Sequence, residues 1–422
     1  MKILQRALYG EKNKMAINLK KPLKENVYAV PGIKLGFTEA GIKYKAKKDL
    51  AIILADEGSH VSAIFTKNQF LAAPVIQAKQ NLKLGAKKKA FIINTGTANA
   101  GTGDLGLINA KQTCELVAKN FNLSAEDVLP FSTGVIMKHL PMQKIEQGIQ
   151  ALTSNLSNEN WIEVAETIMT TDTIPKAYSK KIILADEEII VTGIAKGSGM
   201  IHPNMATMLA FIATNASITS QLLTKMITDV ADESFNLISV DGDTSTNDSF
   251  LLISTNKTQV AISEEDADNY QKLRDAILEI AKFLAQAIVR DGEGATKFIE
   301  IQVANGKTIE DCVEIARKIA NSPLVKTAFF ASDPNLGRIM AAIGNAQVKD
   351  LEISKINIFL NDYLFAKNGA LSKDYDESIA NEEMKKNEIT LKIDLQNGLE
   401  VQSFYTSDLS YDYVKINAEY RT

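Results

Sequence analysis

The stretch KGSGMIHPNMATMLAFIATNA (196–216) decides how this chain is interpreted. A glycine-rich loop containing a proline leads into an apolar run, 208–212, that predicts a buried strand. Thr207 stands at the junction after Ala206, where a bent and strained peptide bond is expected. A threonine hydroxyl becomes a useful nucleophile when a base takes its proton, and cutting the Ala206–Thr207 bond would free an α-amine to be that base. For an isolated Ala-Thr pair, however, an ordinary strand-edge threonine is the better interpretation.

Eight further segments surround this stretch in a fixed order along the chain. Together with 196–216 they resemble the ornithine acetyltransferase family, the bifunctional glutamate N-acetyltransferases of arginine biosynthesis. The resemblance covers nearly the whole chain, and so many ordered segments are far more specific than any short pattern. The eight segments are GIKYKAKKDLAII, INTGTANAGTG, FSTGVI, TTDTIPK, SVDGDTSTNDS, DGEGATK, VKTAFFASDPNLGRI and INAEYRT.

Strand-like and helix-like segments are mixed along the chain, which indicates a layered α/β or α+β architecture. The resemblance implies a sandwich of β-sheets flanked by helices, with a smaller α/β domain, of the N-terminal-nucleophile type. The apolar patterns predict strands at 61–66, 90–95, 182–195 (a hairpin about Asp186-Glu187), 209–214, 250–255, 327–331, 356–360, 389–395 and 413–417. They predict helices at 105–121, 140–153, 219–235, 265–289 and 309–320.

The resemblance also implies how the chain is divided. Cleavage before Thr207 would give an alpha chain, 25–206, and a beta chain, 207–422, that fold together, and two copies of each are expected to form a heterotetramer. The first 24 residues are rich in lysine but contain no serine, so a flexible N-terminal extension is a better interpretation than a transit peptide. Met15 is a possible alternative start.

Composition excludes several classes of function. The chain has 422 residues, 45% of them hydrophobic, and a net charge of −4 without a basic stripe, so no nucleic-acid partner is expected. No apolar run approaches the ~18 residues that a membrane span requires. The two cysteines, Cys114 and Cys312, form neither a disulfide framework nor a metal-spaced cluster, which suits packing in a reducing cytoplasm. No metal and no cofactor are expected.

The resemblance implies a reaction in two steps. The Thr207 hydroxyl would take the acetyl group of N-acetylornithine and then pass it to glutamate, giving ornithine and N-acetylglutamate by ping-pong kinetics. Acetyl-CoA is a second candidate donor of the acetyl group to glutamate.

Residue roles carry over by matching the motifs. The resemblance assigns Thr133 and Gly134 to the oxyanion hole, where fixed donors stabilise developing charge. We expect Lys196 to face the substrate carboxylate and Glu293 the side-chain ammonium. The substrate-binding residues that it implies are Thr173, Lys196, Thr207, Glu293, Asn417 and Thr422.

Three positions depart from the family pattern. Met137 stands where a glycine is expected, Thr97 where asparagine is usual, and Leu336 where tryptophan is usual.

The segment 239–249 has three acids but lacks the glutamate of an EF-hand, so it predicts a dense turn near the nucleophile. His202 has no paired Ser and Asp signature and is interpreted as structural.

Two other functions stay open at this stage. An N-terminal-nucleophile amidase or aminopeptidase would use the same threonine chemistry but give the acyl group to water. A binding protein of this sequence would never cut itself, and an intact chain of 46.2 kDa would persist.

Overall fold

The computed structural model describes residues 16–85, 87–202, 208–263 and 266–419. The predicted cleavage bond, Ala206–Thr207, and the predicted substrate-binding Thr422 lie outside these residues, as does Met15. The other predicted site residues lie within them.

Strands and helices are mixed along the described chain. The strands are β1 (Ile33–Thr38), β2 (Leu50–Ala55), β3 (His60–Phe65), β4 (Ala90–Asn94), β5 (Val128–Ser132), β6 (Lys176–Leu184), β7 (Glu187–Lys196), β8 (Leu209–Thr214), β9 (Ser217–Ile218), β10 (Ile238–Ser239), β11 (Ser249–Ser254), β12 (Ala261–Ile262), β13 (Phe298–Gly306), β14 (Asn357–Leu360), β15 (Tyr363–Lys367), β16 (Ala370–Leu371), β17 (Glu388–Asp394) and β18 (Glu400–Ser407). The α-helices are α1 (Ala73–Lys83), α2 (Gly103–Phe121), α3 (Met142–Leu152), α4 (Trp161–Thr167), α5 (Ser220–Asp232), α6 (Ala267–Arg290), α7 (Ile309–Ala320), α8 (Pro323–Ala331), α9 (Leu336–Gly344), α10 (Glu377–Met384) and α11 (Tyr411–Glu419).

Two sheets packed face to face form the centre of the molecule. One has the strand order β1-β2-β4-β5 and the other the order β3-β11-β8-β7-β6. Their facing sides share one core, in which Phe131 of β5 meets Phe211 of β8 edge to face with ring centroids 5.3 Å apart. Because these strands are buried on both faces, they read as continuous apolar runs rather than as an alternating pattern.

Helices cover the outer face of each central sheet. Ile92 of β4 packs with Ile149 of α3 and with α2 on the four-stranded sheet. Ile212 of β8 shares a core with Leu223 of α5 and Leu284 of α6 on the other sheet. The resulting order of helices, sheet, sheet and helices confirms the predicted layered sandwich.

A third sheet forms the smaller α/β part of the chain. Its strand order is β10-β18-β13-β17-β14-β15-β16, and α7 to α10 contribute to its core. Ile301 of β13, Leu391 of β17, Ile315 of α7 and Phe329 of α8 are buried together there. This part corresponds to the smaller α/β domain that the resemblance implies.

The five-stranded sheet takes strands from both sides of the predicted cleavage bond. β7 pairs with β8 in antiparallel register, Lys196 opposite Leu209, and β3 pairs antiparallel with β11. Neither part of the chain could bury these strands alone, since each supplies neighbours to the other. The chain before residue 203 and the chain after residue 207 therefore form one folded unit.

The described end of the N-terminal segment is packed against the body of the protein. Ile17 is buried in the core beneath α6, and its N–H donates to the Arg290 carbonyl at 2.9 Å. The Asn18 side chain donates to Glu388 at 2.6 Å. The prediction of a flexible extension through residue 24 is therefore wrong for its described part, because an apolar side chain and a backbone donor hold it.

The predicted hairpin about residues 186–187 is confirmed. β6 and β7 pair along their whole length, and the connecting residues Ala185 and Asp186 have φ values of 46° and 66°. Two left-handed residues in a two-residue turn match the twist of the flanking strands. The five predicted helices are also present, as α2, α3, α5, α6 and α7.

Two predicted strands are wrong, because serine caps start helices there. The run 327–331 lies in α8, which begins at Pro323 after Ser322, and the Ser322 hydroxyl accepts the Val325 N–H. The run 413–417 lies in α11, and the Ser410 hydroxyl accepts the Tyr413 N–H at 3.3 Å. An N-cap outweighed the β-branched and aromatic residues that favoured strands.

Both cysteines are buried free thiols, and burial raises the pKa of Cys114 to about 12 and that of Cys312 to about 11. They are therefore weak nucleophiles.

Across the described ranges, we find no helix with the length and apolar character needed to cross a bilayer.

Lys326 of α8 is a fully buried lysine that joins this helix to the third sheet. Its ammonium donates to the Thr406 hydroxyl at 2.8 Å and to the Ser407 carbonyl. Burial lowers the pKa of Lys326 to about 8, although Asp408 and Asp241 oppose that shift. Between this value and the ordinary lysine pKa, the unfolded chain binds more protons than the folded chain.

We therefore expect Lys326 to make stability rise with pH between about 8 and 10.5. Relative to Lys326→Met, the wild type should gain at most about 1.4 kcal/mol of unfolding free energy per pH unit in this window. Urea denaturation of both proteins at several pH values measures the difference, and ionisations common to both cancel. Parallel pH dependence of the two proteins would contradict the assignment.

Candidate active site

A pocket of about 250 Å³ opens where the two central sheets end together. The four-stranded sheet contributes the loop after β5, and the five-stranded sheet contributes the end of β7 and the residues before β11. Segments near α6 and α11 complete the wall. The pocket brings together five predicted site residues that are far apart in sequence: Thr133, Gly134, Lys196, Glu293 and Asn417.

The predicted oxyanion pair offers two hydrogen-bond donors to this pocket. The Thr133 N–H is already used, because it donates to the Asn94 carbonyl at 3.0 Å. Neither the Thr133 hydroxyl nor the Gly134 N–H makes a hydrogen bond to another residue in the described part of the chain. The donors available for an oxyanion are therefore the Thr133 hydroxyl and the Gly134 N–H.

Gly134 cannot be replaced without moving the backbone. Its φ of 131° lies in the region that favours glycine, and a Cβ there would overlap the Gly96 backbone and the Thr97 nitrogen. Close packing of the 94–97 loop on Gly134 thus fixes the direction of its N–H. Only glycine permits that approach.

Asparagine side chains hold this loop in shape. The Asn94 amide donates to the Thr97 carbonyl at 2.9 Å and accepts the Ser132 hydroxyl at 2.6 Å. Asn247, from the segment before β11, donates to the carbonyls of Ala98 and Ser132 at 2.6 and 2.9 Å. These bonds join the ends of the two central sheets, so the donor pair lies on a rigid support.

Lys196 and Asp248 lie at the strand ends that flank the start of β8. Lys196 ends β7 and pairs with Leu209, while Ser249, directly after Asp248, pairs with Leu209 from the other side. The Ser249 N–H also donates to the Met208 carbonyl at 2.8 Å. Both side chains line the pocket, so they stand beside the point at which the described chain resumes after Thr207.

Burial dominates the ionisation of both groups. It lowers the pKa of the Lys196 ammonium, although Asp172 and Asp248 oppose the shift. It also raises the pKa of Asp248 well above the usual range, because this residue is only 3% exposed and its Oδ2 has no hydrogen-bond partner. A lysine and an acid desolvated in one pocket are typical of functional sites.

The motif TTDTIPK (170–176) builds a buried ion cluster behind the pocket. Lys176 pairs with Asp172 at 2.6 Å and with Asp291 at 2.7 Å, and all three side chains are buried. Asp172 also accepts the N–H of Gly197 at 2.7 Å, next to Lys196. Burial alone would raise the pKa of Asp172, but the neighbouring lysines hold this pKa well below its usual range.

Thr173 lies outside the pocket. Its side chain is exposed to solvent, and both its hydroxyl and its N–H bond to the Asp291 carboxylate. Thr171 of the same motif lines the pocket instead and shares a hydrogen bond of 2.7 Å with Ser198. Thr173 thus supports the ion cluster in this structure, and its direct contact with substrate stays a prediction.

Glu293 and the C-terminal helix form the far wall. Asn417 of α11 donates to the Glu293 carboxylate at 2.8 Å, and Gly199 packs so closely on this carboxylate that a Cβ would overlap it. Burial raises the pKa of Glu293, partly offset by hydrogen bonds from Thr171 and Asn417. The Ser410 hydroxyl donates to the Gly294 carbonyl at 2.6 Å, so α11 is tied down beside the pocket.

His202 is structural, as the sequence predicts. Its two ring nitrogens lie 3.1 Å from the Gly242 carbonyl and 3.2 Å from the Asn321 amide. Burial and the nearby Arg317 lower its pKa, which favours the neutral ring.

The Asp241 carboxylate accepts the N–H groups of Met200 and Ile201 at 2.6 and 2.8 Å. The segment that leads to the predicted cleavage bond is therefore held by contacts with residues 241–244.

The pocket residues that the sequence analysis did not identify include Thr171, Asn247 and Asp248. All three lie in segments that the sequence analysis singled out, TTDTIPK and SVDGDTSTNDS. Within each segment, only the strand register and the pairing pattern decide which polar side chain faces the pocket.

In the described residues, no group of three His, Cys, Asp or Glu side chains has a geometry that could hold a metal ion.

Comparison with known proteins identifies the family. The ArgJ family profile matches residues 34–422. The arginine biosynthesis bifunctional protein ArgJ of Colwellia psychrerythraea is 46% identical over 424 residues, which are 97% of this chain and 100% of that protein. This chain belongs to the ArgJ family.

Solved structures of ArgJ-related proteins are also similar to this chain. The ArgJ protein of Bacillus halodurans is 32% identical, with a TM-score of 0.47 over 49% of this chain and 97% of that one. The Mycobacterium tuberculosis ornithine acetyltransferase, solved with ornithine, is 31% identical, with a TM-score of 0.38 over 44% of this chain and 99% of that one.

The departures from the expected ArgJ pattern have different consequences. Met137, where a glycine is expected, has a φ of 64° and is 71% exposed, and its N–H donates to the Ala100 carbonyl at 2.8 Å. The loop thus keeps a backbone conformation that glycine adopts readily, and the side chain of Met137 adds conformational strain to it. Thr97 pairs through its backbone with Thr133 and Val135. Leu336 begins α9 after its N-cap, Asn335.

Gly134→Ala should abolish acetyl transfer while the protein remains folded. The added methyl group must push the Thr133–Gly134 segment away from Gly96, which moves both donors. Gly344→Ala is the matched control, because a Cβ at Gly344 meets nothing within 4 Å. Circular dichroism and a steady-state assay on both variants check the prediction. Normal turnover by Gly134→Ala would contradict the assigned donor geometry.

Proposed function

We propose that this chain is a self-cleaving acetyltransferase of arginine biosynthesis. It moves an acetyl group from N-acetylornithine to glutamate through an acetyl-Thr207 intermediate and releases ornithine and N-acetylglutamate. The observation that carries the proposal is the convergence of two free donors and buried charged groups beside the start of β8, which begins two residues after Thr207 in sequence. Family membership and the names of the relatives support the same reaction.

The chemistry needs two acyl transfers at one hydroxyl. In the first, the freed α-amine of Thr207 takes the hydroxyl proton while the oxygen attacks the acetyl carbonyl. The C–N bond then breaks, and the departing amine of ornithine receives that proton. In the second, the deprotonated amine of glutamate attacks the ester carbonyl, the C–O bond breaks, and the threonine oxygen recovers a proton.

Both steps pass through an oxyanion in the same place. The Thr133 hydroxyl and the Gly134 N–H are the donors proposed for it, and their fixed support means that little reorganisation accompanies the reaction. The same pair would serve self-cleavage, in which the Thr207 hydroxyl attacks the Ala206 carbonyl and water then resolves the ester.

The buried charges suit an amino-acid substrate. Lys196 is proposed to bind the α-carboxylate and Glu293, with Asn417, the side-chain ammonium of the donor. Thr173 and Thr422 are also proposed to contact the substrate. Use of acetyl-CoA, assembly into a heterotetramer of two alpha and two beta chains, and a cytoplasmic location are further parts of the proposal.

The purified protein should consist of two fragments, residues 1–206 and 207–422, and the second should begin Thr-Met-Leu. Incubation with N-acetylornithine alone should add one acetyl group to the fragment that begins at Thr207. Intact-mass and peptide mass spectrometry measure both events. Thr207→Ala is the control and should stay a single chain without acetylation.

Several outcomes would contradict this proposal. Efficient cleavage at another bond would remove Thr207 from the mechanism. Release of free acetate without transfer to glutamate would favour the amidase. Intersecting rather than parallel double-reciprocal lines would require both substrates to bind together and would remove the need for an acetyl-enzyme.

Thr133→Val should lower kcat by about 10²–10³-fold with little change in KM, because the lost hydroxyl stabilises charge that exists only in the transition state. Valine keeps the branched shape, and the Thr133 N–H already serves Asn94, so only the Gly134 N–H would remain. The assay must use protein that mass spectrometry has confirmed as cleaved. Thr153→Val, at an exposed position outside the pocket, is the control. Near-normal kcat in cleaved Thr133→Val would leave the hydroxyl without a catalytic role.

A further inference from the structure

The proposed reaction moves a second proton besides the one that passes through the Thr207 hydroxyl. When N-acetylornithine becomes ornithine, its α-nitrogen changes from an amide to an ammonium and gains two protons, of which the hydroxyl supplies one. When glutamate becomes N-acetylglutamate, its α-nitrogen loses two protons, and the threonine oxygen recovers one. A second proton must therefore be supplied in the first half-reaction and taken up in the second. A side chain inside the pocket can do both without waiting for water to enter.

Asp248 lies in the part of the pocket where such a carrier is needed. It lines the pocket together with the proposed oxyanion donors. The residue after it, Ser249, donates its N–H to the Met208 carbonyl at 2.8 Å. The residue before it, Asn247, donates to the Ser132 carbonyl at 2.9 Å. The backbone on the two sides of Asp248 is thus fixed to the start of β8 and to the end of β5, between the nucleophile and the oxyanion donors.

The carboxyl of Asp248 has an oxygen to spare for a substrate. The residue is only 3% exposed, and its Oδ2 makes no hydrogen bond to another residue in the described part of the chain. Burial raises the pKa of Asp248 well above its usual range, although Lys196 and hydrogen bonds from Ser245 oppose the shift. Burial thus favours the protonated carboxyl, which is the form that can supply a proton in the first half-reaction.

The other acids near the pocket are already engaged. A hydrogen bond of 2.8 Å from α11 holds the Glu293 carboxylate, which is proposed to bind the side-chain ammonium of the donor. Asp172 forms an ion pair of 2.6 Å with Lys176 behind the pocket, and the neighbouring lysines keep it ionised. Neither carboxylate is free to give up and recover a proton in each cycle.

Lys196 is the charged group that acts on Asp248 across the start of β8. Its ammonium is itself influenced by Asp172, Lys176 and Glu293. A positive charge beside Asp248 stabilises the carboxylate that exists between the two half-reactions. Lys196 keeps its own proton in this scheme, because its proposed role is to bind the α-carboxylate of the substrate as an ammonium.

We propose that Asp248 is a further catalytic residue, which carries the second proton between the two half-reactions. Its protonated carboxyl gives the proton to the α-amine of ornithine as that product departs, and a carboxylate remains. The carboxylate then takes a proton from the α-ammonium of glutamate, and the resulting amine attacks the acetyl ester. The cycle returns Asp248 to its protonated form, so no net proton is gained or lost. This inference rests on the proposed function.

The test is Asp248→Asn, which keeps the size and the neutral state of the buried side chain but cannot carry a proton. The kcat for acetyl transfer from N-acetylornithine to glutamate at neutral pH should fall by about 10²–10⁴-fold, the usual contribution of a general acid or base. Transfer to hydroxylamine, an acceptor whose nitrogen is largely unprotonated at neutral pH, should stay close to the wild-type rate. This acceptor brings no ammonium proton that must be removed.

Mass spectrometry gives a second readout and the controls. With N-acetylornithine and glutamate both present, cleaved Asp248→Asn should accumulate the acetyl group on the fragment that begins at Thr207, whereas the wild type should discharge it. Asp248→Glu retains a carboxyl and should transfer to glutamate faster than Asp248→Asn. Asp243→Asn removes an exposed acid of the same segment that does not line the pocket, so it should match the wild type with both acceptors.

The choice of acceptor separates a proton carrier from a structural residue. Equal losses with glutamate and hydroxylamine would overturn the proposal, as would a normal kcat with glutamate in cleaved Asp248→Asn. Asp248→Ser provides the same comparison if Asp248→Asn does not fold or does not cut itself. A wild type that transfers acetyl to neither acceptor would refute the proposed function, and this inference with it. A wild type that transfers to both, beside an unimpaired Asp248→Asn, would refute the inference alone.

Discussion

The buried ammonium of Lys176 is the interaction on which the site depends. It pairs with both Asp172 and Asp291, and neither carboxylate has access to bulk water. Asp172 fixes Gly197 at the end of β7, and Asp291 lies two residues before Glu293 in the opposite wall. Removing one member of such a cluster leaves an uncompensated buried charge, which typically costs about 3–5 kcal/mol. The positions of Lys196 and Glu293 thus depend on a pairing that never touches the pocket.

Desolvation sets the electrostatics of the pocket. Lys196, Asp248 and Glu293 are all buried, and burial shifts the pKa of each towards its neutral form. In such surroundings a hydrogen bond to developing charge is stronger than in water, which favours the Thr133 hydroxyl and the Gly134 N–H as catalytic donors. The same burial means that a substrate carrying charges must find matching groups as it loses its water.

The architecture places these groups at one point because three sheet strands end together. β7 arrives with Lys196, β8 departs from the segment after Thr207, and β11 begins after Asp248. The four-stranded sheet brings its own strand end, with Thr133, to the same edge. α11 closes the remaining side through Asn417, which explains how residues near a chain terminus come to line a pocket.

The sequence by itself determined the family, the layered architecture and most of the candidate site, because ordered motifs around 196–216 are highly specific and strand and helix periodicities are local properties. It also predicted α7 with its bounds, from the apolar spacing of 309–320. It misassigned 327–331 and 413–417, where a capping serine outweighs the preference of the following residues for strands. Only the tertiary structure decided that Thr171 rather than Thr173 faces the pocket, and that the Thr133 N–H is used by Asn94. Such choices depend on register and on partners that are distant in the sequence, and no local pattern encodes them.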